Sequence, residues 1–482
     1  MYSTHKRGFT RALVAALLLG GPTWTACRES PLSPQRMPAA PTLALASFTA
    51  TEDVLLLWAL VGQLEKDGVL NAGQANSLTS KIDASVRRLD GRANKAGGNI
   101  LGAFINHVHA LVNARVLSPQ QAQPLLDAAF SLAGNGVLRR PLAAGYRWTC
   151  ALTLTGNAQC WGTNQFGQLG DGTTETRLAP VPVVGGLIFR QLTAGSDHAC
   201  ALTGEGVAYC WGGNTWGQLG DATSTDHRTP TAVATTLRFT EITAGAYHTC
   251  GLTREGTAYC WGQNFAGALG DGTWTSRNVP TPVAGGYSFI ELRAGGFHTC
   301  AIVSGWGSHC WGWNAFGELG DGTRTTRNSP TPVAGASDFS QIAPYAYHTC
   351  ALTAGGSAYC WGLTERGDLV PSPVTGGVTF AALGEGGVRG THTCGVSTSG
   401  QTYCWGPNNY GQLGDGTNTG RPAPTLVVGG HSFTRVTGGG EHNCGRTPVG
   451  AIYCWGGNFT GQLGDGTTVS RNMPTPIAAG GG

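Results

Sequence analysis

The chain has 482 residues, of which only 12% are charged, and its net charge is +3. No basic run or acidic tail breaks that balance, so a nucleic-acid partner held by phosphate contacts is excluded. The 77 glycines would suggest low complexity if they did not follow a fixed period.

At the N-terminus, Lys6, Arg7 and Arg11 precede an apolar run from Ala12 to Gly21 that is too short to span a bilayer. Small and polar residues follow, ending at Ala26-Cys27. Residues 1–26 therefore read as an export signal. A cysteine at this place resembles the lipid-attachment site of bacterial lipoproteins, which implies cleavage before Cys27 and lipidation of it. Trp24 departs from the small aliphatic residue usual at that offset, so an ordinary signal peptide is the alternative. No other segment is long and apolar enough to cross a membrane. Cysteine usage supports export: there are 15, forming seven pairs ten residues apart, with Cys27 left over.

Residues 27–47 are rich in Pro, Ser and Ala and read as a flexible tether. Residues 48–134 change to helical spacing. Val54, Leu56, Leu60 and Leu64 mark one helix, and Leu78, Ile82, Val86 and Leu89 a second. Phe104, Val108, Leu111 and Val112 mark a third, and Leu125, Ala129 and Leu132 a fourth. Gly68 suits a helix end, and Ser118-Pro119-Gln120-Gln121 a helix start. The stretch from Val69 matches the stretch from Val116, a duplicated hairpin that predicts four antiparallel helices. The segment resembles the FIMAH domain of exported bacterial proteins and reads as a spacer.

Residues 137–482 repeat one sentence seven times, close to A-G-x-x-H-T-C-A-L-T-x-x-G-x-A-Y-C-W-G-x-N-x-x-G-Q-L-G-D-G-T-x-x-x-R-x-x-P-T-P-V. Its first cysteine falls at Cys150, Cys200, Cys250, Cys300, Cys350, Cys394 and Cys444, a spacing of 50 residues with one exception of 44. T-C-A-L-T and A-Y-C-W-G are short strands around a tight turn. A three-residue loop at Leu154-Thr155-Gly156 sets Cys150 opposite Cys160 in the non-hydrogen-bonded class, where a cross-strand disulfide is reasonable. The same register pairs Cys200 with Cys210, Cys250 with Cys260, Cys300 with Cys310, Cys350 with Cys360, Cys394 with Cys404, and Cys444 with Cys454. Further strands around G-Q-L-G and around the F-x-x-I/L before A-G-x-x-H make four per repeat, a propeller blade. One blade cannot bury both faces, so seven close into a ring: an all-β, seven-bladed propeller behind a small antiparallel four-helix domain. The array ends at Pro474-Thr475-Pro476-Ile477, short of an F-x-x-I, which predicts that residues near Val137 to Leu142 finish the last blade.

The A-G-x-x-H turn, the L-T-x-x-G hairpin, the W-G and the N-x-x-G-Q-L-G loop together resemble the regulator of chromosome condensation repeat family. That resemblance implies a seven-bladed propeller, with the cysteine pairs as an addition to the family's basic pattern that fits an oxidising compartment.

Six histidines share one repeat position: His198, His248, His298, His348, His392 and His442, with Trp148 in the first copy. A ring spreads them one per blade, which opposes a metal site and predicts that each His bonds its own blade's backbone. In the G-D-G-T loop, Asp171, Asp221, Asp271, Asp321, Asp415 and Asp465 are followed by Arg177, Arg228, Arg277, Arg327, Arg421 and Arg471. The fifth copy lacks both, which predicts an ion pair within one loop. No nucleophile, zinc-helix or Walker motif occurs, so no enzyme activity and no cofactor are expected.

Function is left to the positions where the copies disagree. Tyr146, Arg147, Asp197, Tyr247, Phe297, Tyr347 and Glu441 stand just before the shared histidine position, on turns that share one face of the ring. Arg389 lies in a three-residue gain before His392, and the fifth copy also loses nine residues between Trp361 and Val374. Aromatic and Arg residues on a rigid rim suit a protein partner. The expectation is an exported, lipid-anchored, monomeric binding protein whose partner is a protein, one possibility being an extracellular enzyme. The alternative is an envelope glycan on the same aromatics. Nucleotide exchange on a GTPase, implied by the nuclear members of the resembled family, is disfavoured because no inserted wedge is present.

Overall fold

The computed structural model describes residues 57–58 and 60–89, scattered positions between 104 and 125, and 140–478 apart from 154–155, 306, 336–338 and 448–449. The chain divides into two compact units, Met1–Val137 and Leu138–Gly482. The export signal, Cys27 and the tether lie outside the described residues.

In the first unit one helix, Ala72–Leu89, is complete among the described residues. It starts with a reciprocal cap: Gln74 N donates to Asn71 Oδ1, and Asn71 N to Gln74 Oε1. Ser118 and Gln121 repeat that cap at the offset the duplication predicts. Gly68, at φ 70°, ends the preceding helical turn, where Val69 N donates to Leu64 O at 3.0 Å. Leu57, Val61, Leu78, Ile82, Phe104, Val108, Leu111 and Leu125 pack into one apolar core. Four helices are not reached among the described residues; much of the third and fourth predicted helices lies outside them.

The second unit is all-β: seven four-stranded antiparallel sheets, each in sequential strand order. The blades span 142–182, 189–232, 239–282, 289–332, 339–373, 380–426 and 435–476. In each blade an inner strand lines the channel, second and third strands form a hairpin, and an outer strand follows a long outer loop. The hairpin prediction holds. Thr153 N donates to Asn157 O at 2.8 Å and Gly156 N to Thr153 O at 3.0 Å, with Gly156 at φ 85°. The seven cysteine pairs oppose one another and are bridged, with Cα separations of 4.0–4.1 Å.

Ring closure differs from the expectation. Leu142–Ala144 is the first blade's own inner strand, pairing with Trp148–Leu152, and the last blade carries its own at Arg435–Gly438. Each blade is contiguous in sequence, and no strand is exchanged. The ring is sealed instead by side chains that repeat at six of its seven seams. The indole N–H of Trp211, Trp261, Trp311, Trp361 and Trp455 donates to a carbonyl of the preceding blade at 2.9–3.0 Å. Trp161 does the same to Gln462 O at 3.0 Å, joining first blade to last.

The histidines also differ from the expectation. Their rings do not bond their own blade's backbone; five of the six bridge to the next blade. His198, His248, His298, His348 and His442 place Nε2 2.8–2.9 Å from Thr249, Thr299, Thr349, Thr393 and Thr149. Four of these hydroxyls, on Thr149, Thr249, Thr299 and Thr349, donate onward to a backbone carbonyl, so they accept from the imidazole, which fixes a neutral Nε2–H tautomer. Burial holds these rings at about 3 to 4, well below the ordinary histidine range. Trp148 fills the first blade's place without titrating, donating to Ser196 O at 2.8 Å.

Candidate functional site

The strand order places the turn between inner and second strands at the same end of the blade as the outer loop. Backbone hydrogen bonds join the two: Arg147 O accepts from Thr163 N, Asp197 O from Gly213 N, Tyr247 O from Gln263 N, and Phe297 O from Trp313 N, at 2.7–3.0 Å. Tyr347 O and Glu441 O repeat the contact with Leu363 N and Gly457 N at 2.7 and 2.8 Å. All eight predicted residues are half-buried on this face.

The gained residues form a plug. They belong to the sixth blade's turn, one blade after the shortened outer loop. Glu385 bridges to Thr437 in parallel, with Gly438 N donating to Glu385 O at 3.0 Å. Glycine is required here by close approach: a Cβ on Gly386 would lie 2.1 Å from Pro344 O, and one on Gly387 2.2 Å from Gly439 O. Val388 is buried, and Arg389 crosses toward the far blades. Arg389 Nε donates to Ser196 Oγ at 3.1 Å, and Nη2 to the Tyr247 hydroxyl. Its guanidinium lies 4.9 Å from the Tyr146 ring centre and 5.5 Å from that of Tyr247. The Arg147 guanidinium lies 5.0 Å from the same Tyr146 ring centre, and the Phe297 ring centre lies 6.1 Å from that of Tyr247. Burial raises the Asp197 carboxyl while the Arg389 charge opposes it. Tyr146, Arg147, Asp197, Tyr247, Phe297 and Arg389 are thus one cluster. Tyr347 stands apart against Phe316, ring centres 5.8 Å apart, and Glu441 makes no ion pair among the described residues.

A second tier went unread in the sequence. Phe166, Phe265, Trp313, Tyr410 and Phe459 are exposed on the outer loops, Phe265 by 62%, and Trp216 lies edge-on to Phe265 at 4.9 Å. Tyr410 meets Phe459 in the same way at 4.9 Å, and Arg147 covers Phe459 at 5.3 Å. The signal was available: the residues flanking the Asn of W-G-x-N-x-x-G, which six of the seven copies share, vary between copies and carry aromatics.

These loops are rigid. Asn264 Oδ1 accepts from Leu269 N at 3.0 Å, while its amide donates to Asp271 Oδ1 at 3.1 Å. The predicted Asp–Arg pair forms in five blades, as in Arg277 Nε to Asp271 Oδ2 at 3.0 Å. In the second blade the partner of Asp221 is His227 at 2.7 Å, not Arg228, because His227 holds the strand position of the other arginines. Burial opposes ionisation of Asp271, but the Thr273 hydroxyl and N–H with Arg277 hold it below the usual carboxylate range. No group of three metal-ligating side chains stands together among the described residues.

Fold and face together define a seven-bladed β-propeller with contiguous blades and a rigid aromatic–arginine rim. The chain belongs to the family of regulator of chromosome condensation (RCC1) repeat propellers: the RCC1-like domain matches residues 90–375, and the RCC1 repeat matches 399–445 and 449–482. No curated protein matches the chain. Among solved structures it is similar to yeast RCC1 (Prp20) bound to Kap60, with 21% identity and a TM-score of 0.60 over 68% of this chain and 85% of that one. Prp20p from Saccharomyces cerevisiae, described with its binding to Gsp1p and histones, gives the same 21% and 0.60 over 68% and 87%. Human WBSCR16 gives 22% and 0.56 over 62% and 83%. At these identities the likeness carries the fold.

Proposed function

We propose that the chain is an exported binding protein, lipid-anchored through Cys27, whose aromatic–arginine face recognises a protein partner. The observation that supports this most is the two-tier face itself. An inner cluster is fixed by Arg389, and an outer rank of rings is left in solvent on hydrogen-bonded loops. Aromatic and Arg anchors on a pre-ordered surface are where binding energy concentrates, since little side-chain freedom is lost on docking. Seven disulfides fit an oxidising compartment outside the cell. Yeast RCC1 binds other proteins, which makes the fold compatible with this role without transferring its partners. The helical unit reads as a spacer between anchor and propeller.

The exposed rings are the ones to test, because Tyr247 also holds Arg389 and its loss would disturb the scaffold. The variant Phe265→Ala/Trp313→Ala/Phe459→Ala is expected to retain the wild-type melting temperature. It should lose at least a hundredfold in affinity for the partner captured from an envelope extract, at about 1–2 kcal/mol per anchor. Equal capture by wild type and variant would rule the face out. Selective binding to an envelope glycan on an array, with no protein captured, would assign the rings to sugar instead.

The anchor has its own readout. Metabolic labelling with a fatty acid is expected to mark the wild type and to disappear in Cys27→Ser; label that survives the substitution refutes lipidation there.

A further inference from the structure

The inner strands turn one edge to the channel, so their outward N–H groups need acceptors from another blade. In the third, fourth and fifth blades the side chain two residues after the strand's phenylalanine provides them, whereas Gln191 of the second blade donates to Ile242 O instead. Glu241 Oε2 accepts from Leu292 N at 3.1 Å, Glu291 Oε2 from Ile342 N at 3.3 Å, and Gln341 Oε1 from Leu383 N at 2.9 Å. Arginines complete the pattern: Arg140 and Arg293 both reach Glu241, and Arg293 Nη2 lies 2.7 Å from Glu291. Carboxylate, neighbouring N–H and guanidinium therefore form a unit that this ring uses twice.

The sixth blade breaks the series. Its residue at that position is Ala382, which has no acceptor to offer. The next strand nevertheless presents the same partners. Val436 stands at the register position of Leu292, Ile342 and Leu383, with Arg435 just before it. Arg435 is 51% exposed and reaches Glu385 only at 3.7 Å, whereas Arg140 Nε holds that same carboxylate at 3.1 Å. Ala382 instead lines a cavity of about 550 Å³. Arg293, Arg435 and Glu385 line it on the polar side, and Leu352, Leu383 and Val436 on the apolar side. It opens beside the fifth blade's hairpin, at the end of the ring opposite the aromatic face, and it does not depend on the reading of that face.

We infer that this cavity binds a ligand carboxylate in the place of the absent residue-382 side chain, accepting from Val436 N–H and pairing with Arg435, with a short apolar chain lying along Leu352 and Val436. The balance of charge agrees. Three arginines, Arg140, Arg293 and Arg435, face three carboxyls, and burial with the nearby Glu241 charge pushes one of these, Glu291, up to about 8. At neutral pH the empty ring is then short of negative charge. The carboxylate could belong to a small organic acid or to the end of a peptide; the recognition chemistry is the same.

Titration calorimetry on the full chain separates these. The probes are hexanoate, its neutral analogue hexanamide, and acetyl-leucyl-leucine as free acid and as amide. At least one acid is expected to bind saturably, tenfold or more tighter than its amide, and the tighter acid identifies the source. Arg435→Gln should weaken it at least tenfold without moving the melting temperature, since Arg435 is half exposed. Ala382→Glu should abolish it by supplying the carboxylate from the chain itself. The inference is overturned if neither acid binds, if acids and amides bind alike, or if Arg435→Gln folds and binds as the wild type does.

Discussion

Thermal stability is expected to peak near neutral pH and to collapse as the pH falls from 7 to 5. The cause is the histidine belt. Six rings are held by burial at about 3 or 4, against an ordinary value of 6.5. A folded-state value below the unfolded one means that the unfolded chain takes up protons that the folded chain refuses. The belt's contribution is therefore complete above about pH 6.5 and is lost as the pH falls toward 4. Each ring contributes a slope of about 1.4 kcal/mol per pH unit in that window, so six together remove on the order of 10 kcal/mol between pH 7 and 5. Four buried carboxyls act the other way. Burial pushes Glu291 up to about 8 and Glu318 up to about 7, and raises Glu385 and Asp197, so they favour the folded state as the pH drops. Four groups against six reduce the fall without reversing its sign. Protonation would also force a second N–H onto an Nδ1 that has no partner in His198, His298, His348 and His442. Melting curves from pH 8 to pH 5 should show the fall, and acid unfolding followed by potentiometry should register a net uptake of protons, that of the six imidazoles less what the buried carboxyls release. His298→Gln, which keeps a donor for Thr349 without titrating, should remove one of those protons. A melting temperature constant between pH 7 and pH 5 would dismiss the belt as the cause.

Periodic features of this fold are legible in sequence because they are local. The hairpin, its glycine and the cysteine register all lie within eleven residues, so counting outward from the turn reproduces the pairing of Cys150 with Cys160. The Asp–Arg pair spans six residues and was recoverable from its joint loss in the shortened copy. What resisted reading crosses seams. His248 meets Thr299, 51 residues on, and the next blade's threonine cannot be told from its own blade's by spacing alone. Ring closure failed for a related reason. Copies framed on the first cysteine assign each inner strand to the preceding unit, so the last copy looks incomplete although no blade is. The candidate face was half legible: the inner turns were found because they precede a histidine shared by six copies, while Phe265 and Trp313 hid beside an asparagine shared by six copies. The hub at Arg389 was found only as an irregularity, since the glycines that let it cross the ring have no counterpart in other copies. The space around Ala382 emerges only when seven inner strands are compared at one register.

Full reduction of the seven bridges is expected to lower the melting temperature by roughly 20 °C, and a single pair removed, as in Cys250→Ala/Cys260→Ala, by about 3 °C. Each bridge closes a separate short loop, and none encloses another. Loop-closure entropy for ten residues gives about 2.5 kcal/mol per bridge, and independent loops add. The sum is on the order of 15–20 kcal/mol, comparable with the whole net stability of an ordinary domain. Access should set the kinetics. The half-cystines are buried between blades, Cys250 and Cys260 completely, so a thiol reductant reaches them only when a blade opens. Mild reductant at 25 °C should therefore leave all seven intact, with thiol labelling appearing only as denaturant approaches the unfolding midpoint. Scanning calorimetry of the oxidised and fully reduced chains decides the matter. An unchanged melting temperature after complete reduction would mean that the apolar seams, with a buried tryptophan in each, hold the ring alone and that the bridges serve another purpose. A reduced chain that fails to refold until an oxidant is supplied would show that the blades need an oxidising compartment to form at all, which is the physical link between the cysteine pairs and export.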